Sequence, residues 1–178
     1  MVYILGGMSM IDIHTHILWA VDDGPKQMEE TMQLLEQAVN EGITEIIATS
    51  HSFHPQYHVQ YETINNQIQL LQYQLVKKNI PLTLHTGHEV RLSDNIIPLY
   101  KAKQIHTLAN SNYILLELPS HTVPYYSINV IRELLKEGLI PIIAHPERNK
   151  AIAERPVYLE RLIREGAMAQ ITAGSLAG

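Results

Sequence analysis

Val130-Ile-Arg-Glu-Leu-Leu-Lys-Glu-Gly138-Leu-Ile-Pro-Ile-Ile-Ala144-His145 packs a helix, a stop, a strand and an imidazole into sixteen consecutive residues. Val130, Ile131, Leu134 and Leu135 recur at the spacing of one helix face, and Gly138 follows where a helix C-terminus needs a residue free of Cβ constraints. Leu139 to Ala144 is then a continuous apolar run of strand length, which reads as a strand buried on both faces. The same order occurs twice more. Met28, Met32, Leu35 and Val39 lead through Gly42 into Ile43 to Thr49; Tyr158, Leu159, Leu162 and Ile163 lead through Gly166 into Ala167 to Thr172.

Three further strands are expected, at Met10 to His14, Leu82 to Thr86 and Tyr113 to Leu118. A helix marked by Ile64, Ile68, Leu71 and Leu75 and a short helical stretch after Asp94 fall between them. Strands alternating with helices of this length predict parallel βαβ units and an α/β fold. Six strands are too few for a closed eight-stranded barrel. The residues themselves leave the choice between an open sheet and an incomplete or distorted barrel.

The chain of 178 residues suits one domain, and no low-complexity or Pro/Gly-rich linker divides it. A net charge of −5 without a basic stripe argues against nucleic acid as a partner. No run approaches a membrane span, so no membrane insertion is expected. Residues 1–9 read as a short N-terminal extension without the features of a signal peptide, and the chain reads as cytoplasmic. The absence of cysteine removes disulfides, thiolate metal sites and cysteine nucleophiles together, which excludes a cysteine-dependent phosphatase. Ten histidines are the unusual entry in the composition.

Those histidines fall in a pattern. His14 and His16 end the first strand on one face of it, and His51 closes the second. Glu89 lies just beyond the third, Glu117 near the end of the fourth, and His145 closes the fifth. In parallel α/β folds the carboxyl ends of the strands form the ligand-binding surface. Each residue alone is an ordinary solvated strand end. Glu117 is harder to dismiss, because it interrupts Ile-Leu-Leu-Glu-Leu and a buried carboxylate needs a cation or a partner. Imidazoles and carboxylates without sulfur suit Mn²⁺, Fe or Zn²⁺ in a multinuclear site. Such a site points to metal-assisted hydrolysis of a phosphoester. Arg148 is placed to clamp a phosphate or, equally well, to pair with Glu147 or Glu154; Arg91 has the same ambiguity. His54, His58, His85, His88, His106 and His121 are read as surface or supporting residues. Walker, GxGxxG, HExxH and GxSxG motifs are absent.

Six segments carry a resemblance when taken in order: Ile11-Asp-Ile-His14-Thr-His16, Asp22-Asp-Gly-Pro25, Ala48-Thr-Ser-His51, Gly87-His-Glu89-Val-Arg91, Leu115-Leu-Glu117-Leu-Pro119 and Ala144-His-Pro-Glu-Arg-Asn149. The chain resembles the PHP (polymerase and histidinol phosphatase) superfamily. Within it, the likeness is to the manganese-dependent protein-tyrosine phosphatases of Gram-positive capsule and exopolysaccharide operons. It runs from Met10 to Gly178.

The resemblance implies a distorted (β/α)₇ barrel, here incomplete with about six β/α units, and up to three Mn²⁺ ions. His14, His16 and Glu89 would hold the first ion, Glu89 (as a bridge), Glu117 and His145 the second, and Asp23 with His51 would contribute to the third. Arg148 would contact the phosphate. The implied substrate is the phosphotyrosine tail of a bacterial tyrosine kinase that regulates polysaccharide synthesis.

Members of the family continue into a late Ser-Asp-x-His motif, whereas this sequence stops at Gly178. The expectation is therefore a domain, residues 10–178, that lacks its C-terminal portion and has fewer ions and impaired turnover. Its exposed edge strands would invite self-association into a homo-oligomer. Two other readings are carried forward: a remnant that binds metal or kinase without turnover, and a phosphoesterase acting on a small molecule such as histidinol phosphate.

Overall fold

The computed structural model describes residues 10–177; the expected extension at residues 1–9 lies outside them. Eight strands and seven α-helices follow one another as β1 (Met10–Thr15), α1 (Met28–Asn40), β2 (Ile43–Ala48), β3 (His51–Ser52), α2 (Tyr61–Lys77), β4 (Thr83–Thr86), β5 (Glu89–Arg91), α3 (Ile96–Lys101), β6 (Tyr113–Glu117), α4 (Ser127–Lys136), β7 (Ile140–Ala144), α5 (Lys150–Glu154), α6 (Val157–Arg164), β8 (Met168–Gln170) and α7 (Ala173–Ala177). Every pairing is parallel, as the alternation of strands and helices requires.

The strands divide into two sheets, β1-β2-β4 and β3-β5-β6-β7-β8. Six strands are expected along the chain and eight are found among the described residues. The second and third expected strands are each interrupted, at Thr49-Ser50 between β2 and β3 and at Gly87-His88 between β4 and β5. Across each interruption the chain changes sheet. Backbone bonds tie the breaks down: the Glu89 amide donates to Ser50 O (3.2 Å) and the Thr49 amide to Thr15 O (2.9 Å). Two- and three-residue strands carry too little periodicity to be seen in sequence. Gly42, Gly138 and Gly166 take φ values of +90°, +79° and +105°, which accounts for the helix–glycine–strand repeat.

Each sheet has its own outer core. Leu35, Ile46, Ile64, Leu71 and Leu84 pack α1 and α2 on the first sheet, whereas Val90, Leu116, Ile131, Leu134 and Ile143 pack α4 and its neighbours on the second. A small inner cluster of Ile47, Leu108, Leu115, Ile142 and Ala144, with Ile13 against it, joins the two. Among the described residues β1 and β8 are the outermost strands, and Met10, Ile11, Met168 and Ile171 are about half exposed there. No described helix is long and apolar enough to cross a membrane.

Candidate metal centre

Glu89 begins β5 directly after the Gly87-His88 break, and its side chain is 1% exposed. Such a carboxylate needs strong partners, and four imidazoles supply them. Oε1 faces His145 Nε2 at 2.8 Å and His14 Nε2 at 3.3 Å; Oε2 faces His16 Nε2 and His51 Nδ1, both at 3.1 Å. Burial pushes the Glu89 pKa upward, but the bonds from His14, His145 and His16 prevail and hold it well below the usual carboxylate range.

Each imidazole is aimed by its backbone and by a second partner. His14 and His16 flank Thr15 at the end of β1. The Nδ1–H of His14 donates to Gln170 Oε1 (2.9 Å), which also accepts, at 3.4 Å, from the His145 amide. His16 Nδ1 lies 3.1 Å from both Asp22 Oδ2 and Asp23 Oδ1. Burial opposes its protonation, yet Asp22 and Glu89 outweigh that and raise its pKa to about 10. For His145 too burial is overcome by Glu89, and its pKa is raised. At His51 burial prevails and the pKa is lowered. His145 has φ +29° and ψ 56°, a strained conformation at the end of β7 in which its Nε2 reaches Glu89.

The two aspartates of Asp22-Asp-Gly-Pro25 do different things. Asp23 is exposed, and its Oδ1 lies 3.7 Å from His51 Nε2. Asp22 is buried; its Oδ2 also accepts from the His51 amide (3.2 Å) and its Oδ1 from the Gly24 amide (3.1 Å). Gly24 is required there, because a Cβ would sit 2.4 Å from His16 O. Asp22 and Gln170 are the residues that sequence reasoning missed. The motif contained Asp22, but adjacent carboxylates look alike until burial separates them; Gln170 carries no charge pattern at all.

Three groups of side chains bring their ligand atoms within 4.8 Å of one another: His14, His16 and Glu89; His16, Asp23 and His51; and His51, Glu89 and Glu117. All seven residues expected to bind metal are thereby brought to one place, with His145 joined through Glu89 Oε1. The donor set passes a direct test of fit to a cation. Glu117 Oε2 and His51 Nδ1 are buried without a well-aligned hydrogen bond among the described residues, Nδ1 having only its 3.1 Å approach to Glu89 Oε2, and an ion would supply what they lack.

Of the two arginines, Arg91 is committed: its Nη1 lies 3.2 Å from Glu117 Oε1 and donates to Leu118 O at 3.3 Å. Arg148 is exposed and lines the same cavity of about 600 Å³ as His14, Glu89 and His145. Neither surface pairing of Arg148 forms. Glu147 accepts instead from the amide and hydroxyl of Thr172, and Glu154 lies 4.0 Å from Lys150. Asn149 caps α5 and donates to Pro119 O and Thr122 O, fixing the loop beside Arg148. Of the remaining histidines, His88 is a core residue rather than a surface one. It is fully buried between Val59 O and the His106 amide, and burial pushes its pKa down to about 3. His85 pairs with Glu45 at 2.7 Å.

The family profile described as "Capsular polysaccharide synthesis, CpsB/CapC" matches residues 10–178. The chain belongs to the CpsB/CapC family. Within this family it is 46% identical over 169 residues to CapC of Staphylococcus aureus, covering 95% of this chain and 66% of that protein. It is 40% identical to the tyrosine-protein phosphatase YwqE of Bacillus subtilis, with the same coverage. The tyrosine-protein phosphatase CpsB of Streptococcus pneumoniae is 34% identical over 165 residues, 91% of this chain and 67% of that one. The chain thus spans about two thirds of the length of these CpsB/CapC relatives. A solved structure from work on YwqE and CpsB, described as "unique metal-dependent tyrosine phosphatases", superposes with a TM-score of 0.91. It is 40% identical and covers 95% of this chain and 68% of that one.

Proposed function

We propose that this chain hydrolyses phosphotyrosine in a metal-dependent reaction, with the phosphorylated tail of a bacterial tyrosine kinase of polysaccharide synthesis as its substrate. The observation that carries the reading is Glu89. A buried carboxylate whose two oxygens each face a pair of imidazoles is the arrangement of a bridge between two cations. The names of the family and of its tyrosine-phosphatase relatives agree with it.

His14, His16 and Glu89 would hold one ion, Glu89, Glu117 and His145 a second, and Asp23 and His51 would contribute to a third; Mn²⁺ is our choice for a nitrogen- and oxygen-only donor set. Ions so held supply Lewis-acid charge for the phosphoryl group and acidify water into the neutral range.

The chain's own residues do the rest. Gln170 and Asp22 keep the Nδ1 atoms of His14 and His16 occupied, so that both Nε2 atoms point at the bridge. Arg148, at the cavity wall and without an ion pair among the described residues, binds the phosphoryl oxygens with paired N–H donors. Asn149 holds the loop that flanks it. Arg91 sits on Glu117 and keeps that carboxylate charged and oriented rather than touching substrate. We place this work in the cytoplasm, where a kinase tail would meet it.

The test is phosphate release from a phosphotyrosyl peptide with and without added Mn²⁺, with Glu89→Ala as the control. Manganese-dependent release that disappears in the variant is expected. Release undiminished in Glu89→Ala would overturn the assignment of the centre.

A further inference from the structure

The cavity has more wall than a phosphate needs. Its floor is the histidine and carboxylate cluster, but two aromatic side chains, His54 and Tyr57, line it without joining that cluster. Both rings run nearly parallel to His51, which sits at the floor. The His51 and His54 centroids are 4.5 Å apart with 24° between planes; His51 and Tyr57 are 5.7 Å and 8°. His54 and Tyr57 are inclined by only 17° to each other. Three near-parallel ring planes therefore stand along one side of the cavity.

The loop that carries them is folded in advance. The Val59 amide closes it onto His51 O (2.9 Å), the Tyr57 amide donates to His54 O (3.2 Å), and the Gln56 amide to His54 Nδ1 (3.2 Å). Phe53 takes φ +56°, and its amide donates to His58 Nδ1; the Phe53 and His58 rings pack on each other at 4.2 Å. The loop thus consumes its own polar groups while leaving two things unused. Among the described residues, neither the Tyr57 hydroxyl nor His54 Nε2 makes a hydrogen bond, and both side chains are only partly buried while lining the cavity.

We infer that His54 and Tyr57 form an aryl-recognition wall, which stacks on the leaving group of the substrate and selects phosphate esters of phenols over those of alkyl alcohols. The inference rests on the phosphatase reading for what happens at the metal centre, and adds to it the part of the chain that reads the leaving group. Offset-parallel packing of rings at 4.5–7 Å is the favoured aromatic geometry, and a wall with that orientation rewards a planar substrate. A serine side chain offers the wall no ring at all. A cavity of about 600 Å³ is within the range for an entire small organic ligand rather than for an anion alone.

Two measurements test it. In the first, Mn²⁺-supplied protein hydrolyses phosphotyrosyl and phosphoseryl versions of one peptide. Tyr57→Leu and His54→Leu should each lower kcat/KM on the phosphotyrosyl peptide by about two- to tenfold, the worth of one aromatic pair. The ratio of the phosphotyrosyl to the phosphoseryl kcat/KM should fall by that factor in each leucine variant, and Tyr57→Phe, which keeps the ring, should preserve the ratio. Equal losses on both peptides, or none, would overturn the proposal. The second does not depend on turnover: phenylphosphonate and ethylphosphonate are titrated into the protein, and the aromatic NMR signals of Tyr57 and His54 are followed. Tighter binding of the phenyl compound, with a margin that shrinks in the double variant, is expected. Equal binding of the two would sink the wall. Preference for phenylphosphonate without hydrolysis of either peptide would leave the wall standing and refute the phosphatase reading instead.

Discussion

Replacing Asp22 with alanine removes one carboxylate on which three donors converge: the His16 ring (3.1 Å), the His51 amide (3.2 Å) and the Gly24 amide (3.1 Å). Hydrogen bonds to a charged group contribute about 1.5–3 kcal/mol each, and a buried donor left without a partner costs about 1–3 kcal/mol. The gross loss is reduced because a buried carboxylate no longer has to be desolvated, and because Gly24 is partly exposed and its amide can turn to water. A net loss of about 3 kcal/mol in the metal-free protein is the expected result. His16 also loses the partner that aims it, so Mn²⁺ affinity should fall by about 10- to 100-fold. Asp23→Ala is the internal comparison. Its side chain is 56% exposed, so stability should change by no more than about 0.5 kcal/mol, while affinity still falls if Asp23 is a ligand. Urea unfolding of the metal-free variants and calorimetric Mn²⁺ titration report the two quantities separately. If the two aspartates proved equivalent in stability, or Asp22→Ala cost less than about 1 kcal/mol, the division of labour within Asp-Asp-Gly-Pro would be wrong.

Three other expectations follow from the same geometry. Arg148→Ala should raise KM for a phosphotyrosyl peptide by about tenfold or more, the loss of a charged hydrogen bond, without altering Mn²⁺ affinity; an unchanged KM would return Arg148 to the surface. Gln170→Leu should release the Nδ1–H of His14, visible as a mixture of tautomers in ¹⁵N spectra, and weaken Mn²⁺ binding by about tenfold; a single unchanged tautomer would contradict the role given to Gln170. Metal uptake should expel protons. The pKa of His16 is raised to about 10 and that of His145 is raised as well, so at neutral pH the empty centre holds protons that ligation must displace. Apparent affinity should therefore climb as pH rises from 7 to 9, and calorimetry in buffers of different ionisation enthalpy should detect at least one proton per molecule; pH-independent affinity would refute it.

The elements that sequence exposes are those whose signal spans many residues. The helix–glycine–strand repeats around Gly42, Gly138 and Gly166 place α1, α4, α6 and their following strands, with α4 beginning three residues earlier than its apolar pattern, because apolar periodicity and a positive-φ stop coincide there. β3 and β5 escaped because two or three residues have no period, although His51 and Glu89, which begin them, were singled out by residue type alone. For Arg148 the sequence allows a phosphate clamp and an ion pair equally; that Glu147 is spent on Thr172 is a contact across 25 residues that no local pattern encodes. His88 looked like surface because a histidine next to a candidate ligand invites a polar reading; only the fold shows its ring enclosed between Val59 and His106. Asp22 and Gln170 act by occupying the far nitrogen of another residue, and that relationship exists only in three dimensions.

The interrupted strands have a mechanical meaning. Because the chain changes sheet at Thr49-Ser50 and at Gly87-His88, the described residues form two halves with separate outer cores, which meet along a seam and share an inner cluster. His14 and His16 belong to one half; His51, Glu89, Glu117 and His145 belong to the other. Cations gathered by these six side chains would act as rivets through the seam, and stripping them would let either half breathe without the other. The centre would then set the size of the cooperative unit that unfolds.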